Sequence, residues 1–218
     1  MPSITTFEEA AMNSRSVAVG SVAAVAVLAG AGYPLLWRRR CLTWGASHPE
    51  AGRAMPGDDL LPGAPLVSTR AITVDAPPSA VWPWLVQMGP GRGGAYTYDW
   101  IENLLGLNMH SATKILPQFQ DLKVGDVIPL GAHGPRMRIE VLESHHTLVL
   151  RSEDGVWVWA FGLYPQDGAT RLVSRNRIAT PDPSLASRAF SCYVMEPGSL
   201  VMERKMLLTL KERAESTA

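Results

Sequence analysis

Residues 155–165 read GVWVWAFGLYP. In an extended chain Trp157, Trp159, Phe161 and Leu163 share one face, and Val156, Val158 and Ala160 the other. Both faces are apolar, so this segment reads as a central strand covered on both sides. Around it run LKVGDVIPL (122–130), MRIEVLES (137–144), TLVLRSE (147–153) and ATRLVSRNRIA (169–179). The turns between them are short and rich in Gly, Asp and Pro, which signals an antiparallel meander. In MRIEVLES, Met137, Ile139 and Val141 fall on one face, with Arg136, Arg138 and Glu140 on the other. The turn PQDGA does not fix the register of Arg171, Arg175 and Arg177, so the arginines lie either behind the tryptophans or beside them, and a cation–π ladder stays open.

Upstream, TRAITVDA (69–76) alternates Ile72 and Val74 with polar neighbours, a half-buried strand ended by Pro77 and Pro78. A helix starting near Ser79 would carry Val81, Trp82, Leu85, Val86 and Met88 towards Gly89. Pro83 would cost about 3 kcal/mol deep in a helix but is tolerated in a first turn, where its missing N–H has no obligatory partner. GPGRGG (89–94) is a stop and a mobile connection, without the spacing of a phosphate-cradling loop. Asp99 and Glu102 suit a capping arrangement at the start of a second helix, with Trp100, Ile101, Leu104 and Leu105 as its apolar side. The same two carboxylates also invite an acid–base reading, for which a cap is the simpler account. PGSLVMERKMLLTLKERAES (197–216) follows a Pro-Gly stop as a long helix, with Leu200, Val201, Met202, Met206, Leu207, Leu208 and Leu210 on a broad apolar face. The order of one strand, two helices, a run of strands and a last helix is an α+β layout with helices against one face of an antiparallel sheet.

Twenty basic residues balance twenty acidic ones, so no overall field draws phosphate backbones, and nucleic acid is excluded as an expected partner. Cys41 and Cys192 lack metal-site or disulfide spacing and read as free thiols. His145 and His146 fall at a turn with no third ligand nearby, so no metal site is expected. Val17 to Trp37 (VAVGSVAAVAVLAGAGYPLLW) carries no charge; as a helix these roughly 21 residues span a bilayer. Glu8, Glu9 and Arg15 precede the run, and Arg38, Arg39 and Arg40 follow it. That order is the reverse of a signal peptide and predicts a single-pass anchor in the cell membrane, with the C-terminal domain cytoplasmic. Ala26-x-x-x-Gly30 could allow close helix pairing, although small residues are common in such helices. The expected organisation is a short tail (1–16), a transmembrane helix (17–37), a basic juxtamembrane segment with a Pro/Gly-rich strap (38–67) and one domain (68–216). Within the strap Trp44, Met55, Leu60 and Leu61 are placed to pack along the domain, and His48 is expected to be exposed.

TRAITVDAPPSAVWPWLVQMG, YTYDWIENLLG, LPQFQDLKVGDVIPL, LVLRSEDGVWVWAFGLYP and TRLVSRNRI, with WGASHPEAGRAMPGDDLLP upstream, resemble the SRPBCC superfamily. These are the START and Bet v 1-like helix-grip proteins that include polyketide cyclases, and the likeness extends to a membrane-attached bacterial subgroup. The resemblance implies a curved antiparallel sheet around the C-terminal helix, with a cavity between them for a hydrophobic small molecule or lipid. It transfers no catalytic residue and implies no cofactor. On that layout the expected lining is Trp100, Leu104, Ile139, Val141, Leu150, Trp157, Trp159, Phe161, Met202 and Met206. GPGRGGAYTYDW would form a lip, with Tyr96, Tyr98, His110 and Arg151 as entrance or polar groups. Membrane-tethered binding or transfer of an apolar ligand leads the functional readings. A cyclase or dehydratase is the alternative, and a structural membrane partner with a core filled by its own tryptophans is the third.

Overall fold

The computed structural model describes residues 32–104, 106–131, 134–179 and 184–217. The expected tail and nearly all of the expected membrane span, including Ala26 and Gly30, lie outside the described residues, as does Leu105. No described helix is long and apolar enough to cross a membrane. The chain divides into two units, Met1–Arg39 and Arg40–Ala218. In the first, Tyr33–Trp37 is one π-helical turn; everything below concerns the second.

Among the described residues six strands form one antiparallel sheet, in the order β1-β6-β5-β4-β3-β2. They are β1 (Leu66–Val74), β2 (Val127–Pro129), β3 (Arg136–Glu143), β4 (Thr147–Ser152), β5 (Trp157–Gln166) and β6 (Ala169–Ile178). The tryptophan-bearing strand β5 is central, as its two apolar faces require. One face meets the main core, with Phe161 and Leu163; the other meets a second cluster of Met55, Ala71, Val149, Val158, Ala160 and Val173. That second cluster is roofed by the strap, whose Leu60 and Leu61 pack on it.

The register settles where the arginines lie. Trp159 pairs with Asn176 and Ala160 with Arg175, so Arg171, Arg175 and Arg177 project from the strap face, away from the tryptophans. There Arg171 Nε bonds Glu50 at 2.7 Å, Arg175 bonds Asp58 at 2.7 Å and Arg177 bonds Asp58 at 3.2 Å. Glu50 lies in a five-residue helix (His48–Gly52) opened by Ser47 in a capping box. The strap is therefore clamped to the sheet by charge-assisted bonds as well as by apolar contact.

Strand β3 departs from simple alternation. A register shift falls between Ile139 and Val141, so Met137 and Ile139 join the main core while Val141 turns to the strap cluster. A bulge adds one residue and inverts the phase beyond it, which a strict period of two cannot reveal.

The helices also differ from expectation. Pro78–Val86 is helical from Pro78, so Pro83 sits inside the helix rather than in its first turn. Its own carbonyl accepts a bond from Gln120 Nε2 at 3.2 Å. Pro197 and Gly198 do not stop the chain. Leu185–Phe190, a π-turn over Ser191–Met195 and Glu196–Glu215 follow one another with αR backbone at both junctions. The proline lacks an N–H, and the wider π-turn before it adjusts the backbone ladder around that gap. GPGRGG closes on itself as a loop. Gly89 and Gly94 exchange both backbone bonds, at 2.9 and 3.0 Å, and the Arg92 guanidinium lies over the Phe119 ring.

Candidate functional site: a cavity between sheet and C-terminal helix

The sheet and the last helix do not fill the space between them. They leave a cavity of about 800 Å³, within the size range of small-molecule sites. Its wall takes every second residue of the strands: Ser68 and Arg70 from β1, Met137 from β3, Leu148 and Leu150 from β4, Trp157, Trp159 and Phe161 from β5, Asn176 and Ile178 from β6. The last helix supplies Ser199, Met202, Glu203 and Met206. This is the pleat expressed as chemistry, since residues two apart share a face. Along β5 the aromatic rings form a continuous stack. Trp157 and Trp159 are 5.7 Å apart and nearly parallel, and Phe161 follows at 4.9 Å.

Six of the residues expected from sequence line this cavity: Leu150, Trp157, Trp159, Phe161, Met202 and Met206. Ile139 is fully buried in the adjoining core without reaching the wall, and Val141 is on the wrong face because of the bulge. Trp100 and Leu104 are 69 % and 80 % exposed, and the helix Asp99–Leu104 turns Glu102 inward instead. The capping reading of Asp99 and Glu102 fails with it. The Asp99 carboxylate accepts bonds from the Ser111 N–H (2.8 Å) and hydroxyl (2.6 Å), which tie the helix to the following loop.

The expected entrance groups are elsewhere. Tyr96 is fully buried with a backbone φ of 59°. Its hydroxyl donates to the Trp84 carbonyl at 3.0 Å and accepts from Gln87 Nε2 at 2.9 Å. Burial pushes that phenol up to about 12, so it is a structural hydrogen-bonding group. Tyr98 is half-buried and His110 exposed, and neither reaches the cavity wall. Arg151 borders a polar surface depression with Arg138 and Glu140. Three residues of the expected lip do touch the wall, Gly89, Ala95 and Thr97. Among the described residues no group of three or more His, Cys, Asp and Glu side chains converges as a metal site.

Sequence reasoning missed the polar wall. Arg70, fully buried, pairs with Glu203 of the last helix, and it donates to Ser199 Oγ (3.0 Å) and the Cys41 carbonyl (3.0 Å). Glu203 also accepts from the Ser174 hydroxyl and from Asn176 Nδ2 at 3.2 Å. The indoles complete the network: Trp159 Nε1 donates to Ser174 Oγ at 3.0 Å and Trp157 Nε1 to Asn176 Oδ1 at 2.8 Å. Burial raises the Glu203 carboxyl, against the opposing pull of Arg70 and Ser174. A signal was present, because Glu203 precedes Leu207 and Leu210 on the buried stripe of its helix and Arg70 shares the inward phase of Ile72 and Val74. A charge at a core position implies a partner.

No protein-family model matches the chain, and no curated protein matches it. Solved structures similar to it include the KanY protein (ms6282), with 16 % identity and a TM-score of 0.48 over 70 % of this chain and 99 % of that one. A Polyketide_cyc-like protein from Corynebacterium glutamicum has 17 % identity and a TM-score of 0.38 over 72 % and 93 % of the two chains. The Aha1 protein from Colwellia psychrerythraea has 14 % identity and a TM-score of 0.41 over 69 % and 96 %. At such distances these likenesses carry no functional argument. What the sheet order and the long last helix show is the fold itself, an α+β domain with one six-stranded antiparallel sheet and a long C-terminal helix.

Proposed function

We propose that the domain binds an apolar small molecule, lipid-like or polyketide-like, in the cavity between sheet and last helix. The observation that carries this reading is the unfilled volume of about 800 Å³ beside an aromatic stack. A core that served stability alone would close such a space, because each unfilled volume forfeits contact energy. Met202 and Met206 supply a pliable wall suited to guests of differing shape. Membrane tethering through residues 17–37, with the domain on the cytoplasmic side, belongs to the same proposal. It rests on the uncharged run and the three arginines after it.

Native mass spectrometry of the full chain released from detergent tests the reading. The wild type is expected to carry an apolar adduct, or to accept one from a lipid extract. Met202→Trp, which extends an indole into the cavity, is expected to lose it while keeping the wild-type near-UV dichroism. A wild-type chain that retains and accepts nothing refutes the proposal.

A further inference from the structure

We propose that the Glu102 carboxyl and the Thr97 hydroxyl together form the polar contact for the cavity's ligand, and that this ligand bears a hydroxyl group on an otherwise apolar body. The inference rests on the cavity-binding reading and adds the chemistry of the guest's head.

Two buried polar atoms at the wall make the case. Glu102 is 6 % exposed and lines the cavity, and its Oε2 has no hydrogen-bond partner among the described residues. The Oγ1 of Thr97, also in the lining, is likewise buried; its hydroxyl is near enough to pull on the Glu102 carboxyl, but the two do not meet in hydrogen-bond geometry. Native proteins pair nearly all such atoms, so two in one segment, five residues apart in sequence, require an explanation. The other polar groups of the wall do not share this condition: Arg70, Glu203, Ser199 and Asn176 satisfy one another.

The two polar stations lie towards opposite edges of the sheet. Arg70 and Asn176 belong to β1 and β6, at one edge. Glu102 accepts the backbone N–H of Leu107 through its own carbonyl, and the Leu107 side chain abuts Gly131, just beyond β2 at the other edge. Between them stands the Trp157, Trp159 and Phe161 stack of β5. A guest with its head at Glu102 would lay its apolar body towards those rings.

A hydroxyl fits this station better than a charged head. It both donates and accepts, so it can answer a carboxyl and a threonine hydroxyl together. A ligand carboxylate would add negative charge beside Glu102 and Asp99. Burial, reinforced by Asp99, raises the Glu102 carboxyl against the opposing pull of the Thr97 hydroxyl, which weakens its attraction for an ammonium group. The remaining buried charges of the wall, Arg70 and Glu203, are already matched.

The test compares 1-octanol, its methyl ether 1-methoxyoctane and octylamine, each titrated into the full chain in amphipol with tryptophan fluorescence as the readout. The wild type is expected to bind octanol roughly tenfold more tightly than the ether, which keeps the acceptor oxygen but lacks the donor. Glu102→Leu is expected to erase that difference and leave affinity for the ether unchanged; Glu102→Gln, which keeps an acceptor, retains most of it. Should Glu102→Leu fail to fold, Thr97→Val supplies the comparison, with a smaller loss expected. Equal affinity of the wild type for octanol and the ether, or a preference that survives Glu102→Leu, overturns the inference while the cavity reading stands. Tighter binding of octylamine than of octanol overturns the hydroxyl assignment in favour of an ammonium. Failure of all three probes to bind overturns the inference together with the reading beneath it.

Discussion

Replacing Arg70 with Met isolates Glu203 in the wall of the cavity. The Arg70 side chain is 0 % exposed and that of Glu203 is 7 % exposed, so water cannot take over the lost interaction. Ser174 and Asn176 still donate to the carboxylate, but its counter-charge is gone, and Ser199 Oγ and the Cys41 carbonyl lose their donor. Breaking one side of a buried pair costs about 3–5 kcal/mol. The double replacement Arg70→Met with Glu203→Leu removes both desolvation penalties and fills similar volume, so it is expected within about 2 kcal/mol of the wild type. With either single replacement costing that much, the cycle implies a coupling of at least about 4 kcal/mol between the two positions. Urea unfolding of the four proteins, followed by near-UV dichroism, measures it. Additive single and double losses would show that the pair does not act as a unit, and the account of the polar wall would fall.

Two further outcomes are expected. The Arg171 bond holds Glu50 well below the ordinary carboxyl value of 4.5, at about 2, so the clamp's contribution is complete above pH 4.5 and disappears as pH falls towards 2. For this partly exposed pair the effect is about 1 kcal/mol, and Glu50→Gln should flatten that acid limb in a pH series of unfolding curves; an unchanged limb would deny the strap this fastening. Tyr96 is raised by burial from 10.0 to about 12, so its contribution is complete below pH 10 and is lost as pH rises through about 12. Tyr96→Phe should cost about 1–3 kcal/mol at neutral pH, by thermal unfolding, and remove that alkaline decline; a phenol that titrates near 10 in the folded protein by ultraviolet absorbance would contradict its burial.

The pattern of residues was enough for much of the architecture. Period-two alternation placed β5 at the centre, and it ran into the core on one side and the strap on the other, because a strand apolar on both faces has no other stable position. Alternation likewise put Trp157, Trp159 and Phe161 on a common face, and the helical stripe put Met202 and Met206 opposite them. The strap's Met55, Leu60 and Leu61 were legible for the same reason: isolated apolar residues in a proline-rich segment need a surface to cover.

Tertiary structure decided the rest. The bulge in β3 sends Val141 away from the cavity, and one extra residue leaves no mark in a hydrophobic pattern. On the short helix Asp99–Leu104 the apolar Trp100 and Leu104 face outward and Glu102 inward, since a six-residue helix carries too few turns for its own periodicity to overrule its surroundings. Pro197-Gly198 reads as an end, yet a π-turn takes up the missing N–H and the helix runs on. The partners of Arg70 lie 133 residues away at Glu203 and 29 away at Cys41. Local sequence dictates which face a side chain takes; only the closing of the sheet onto the last helix decides which charges meet there, and how much space they leave.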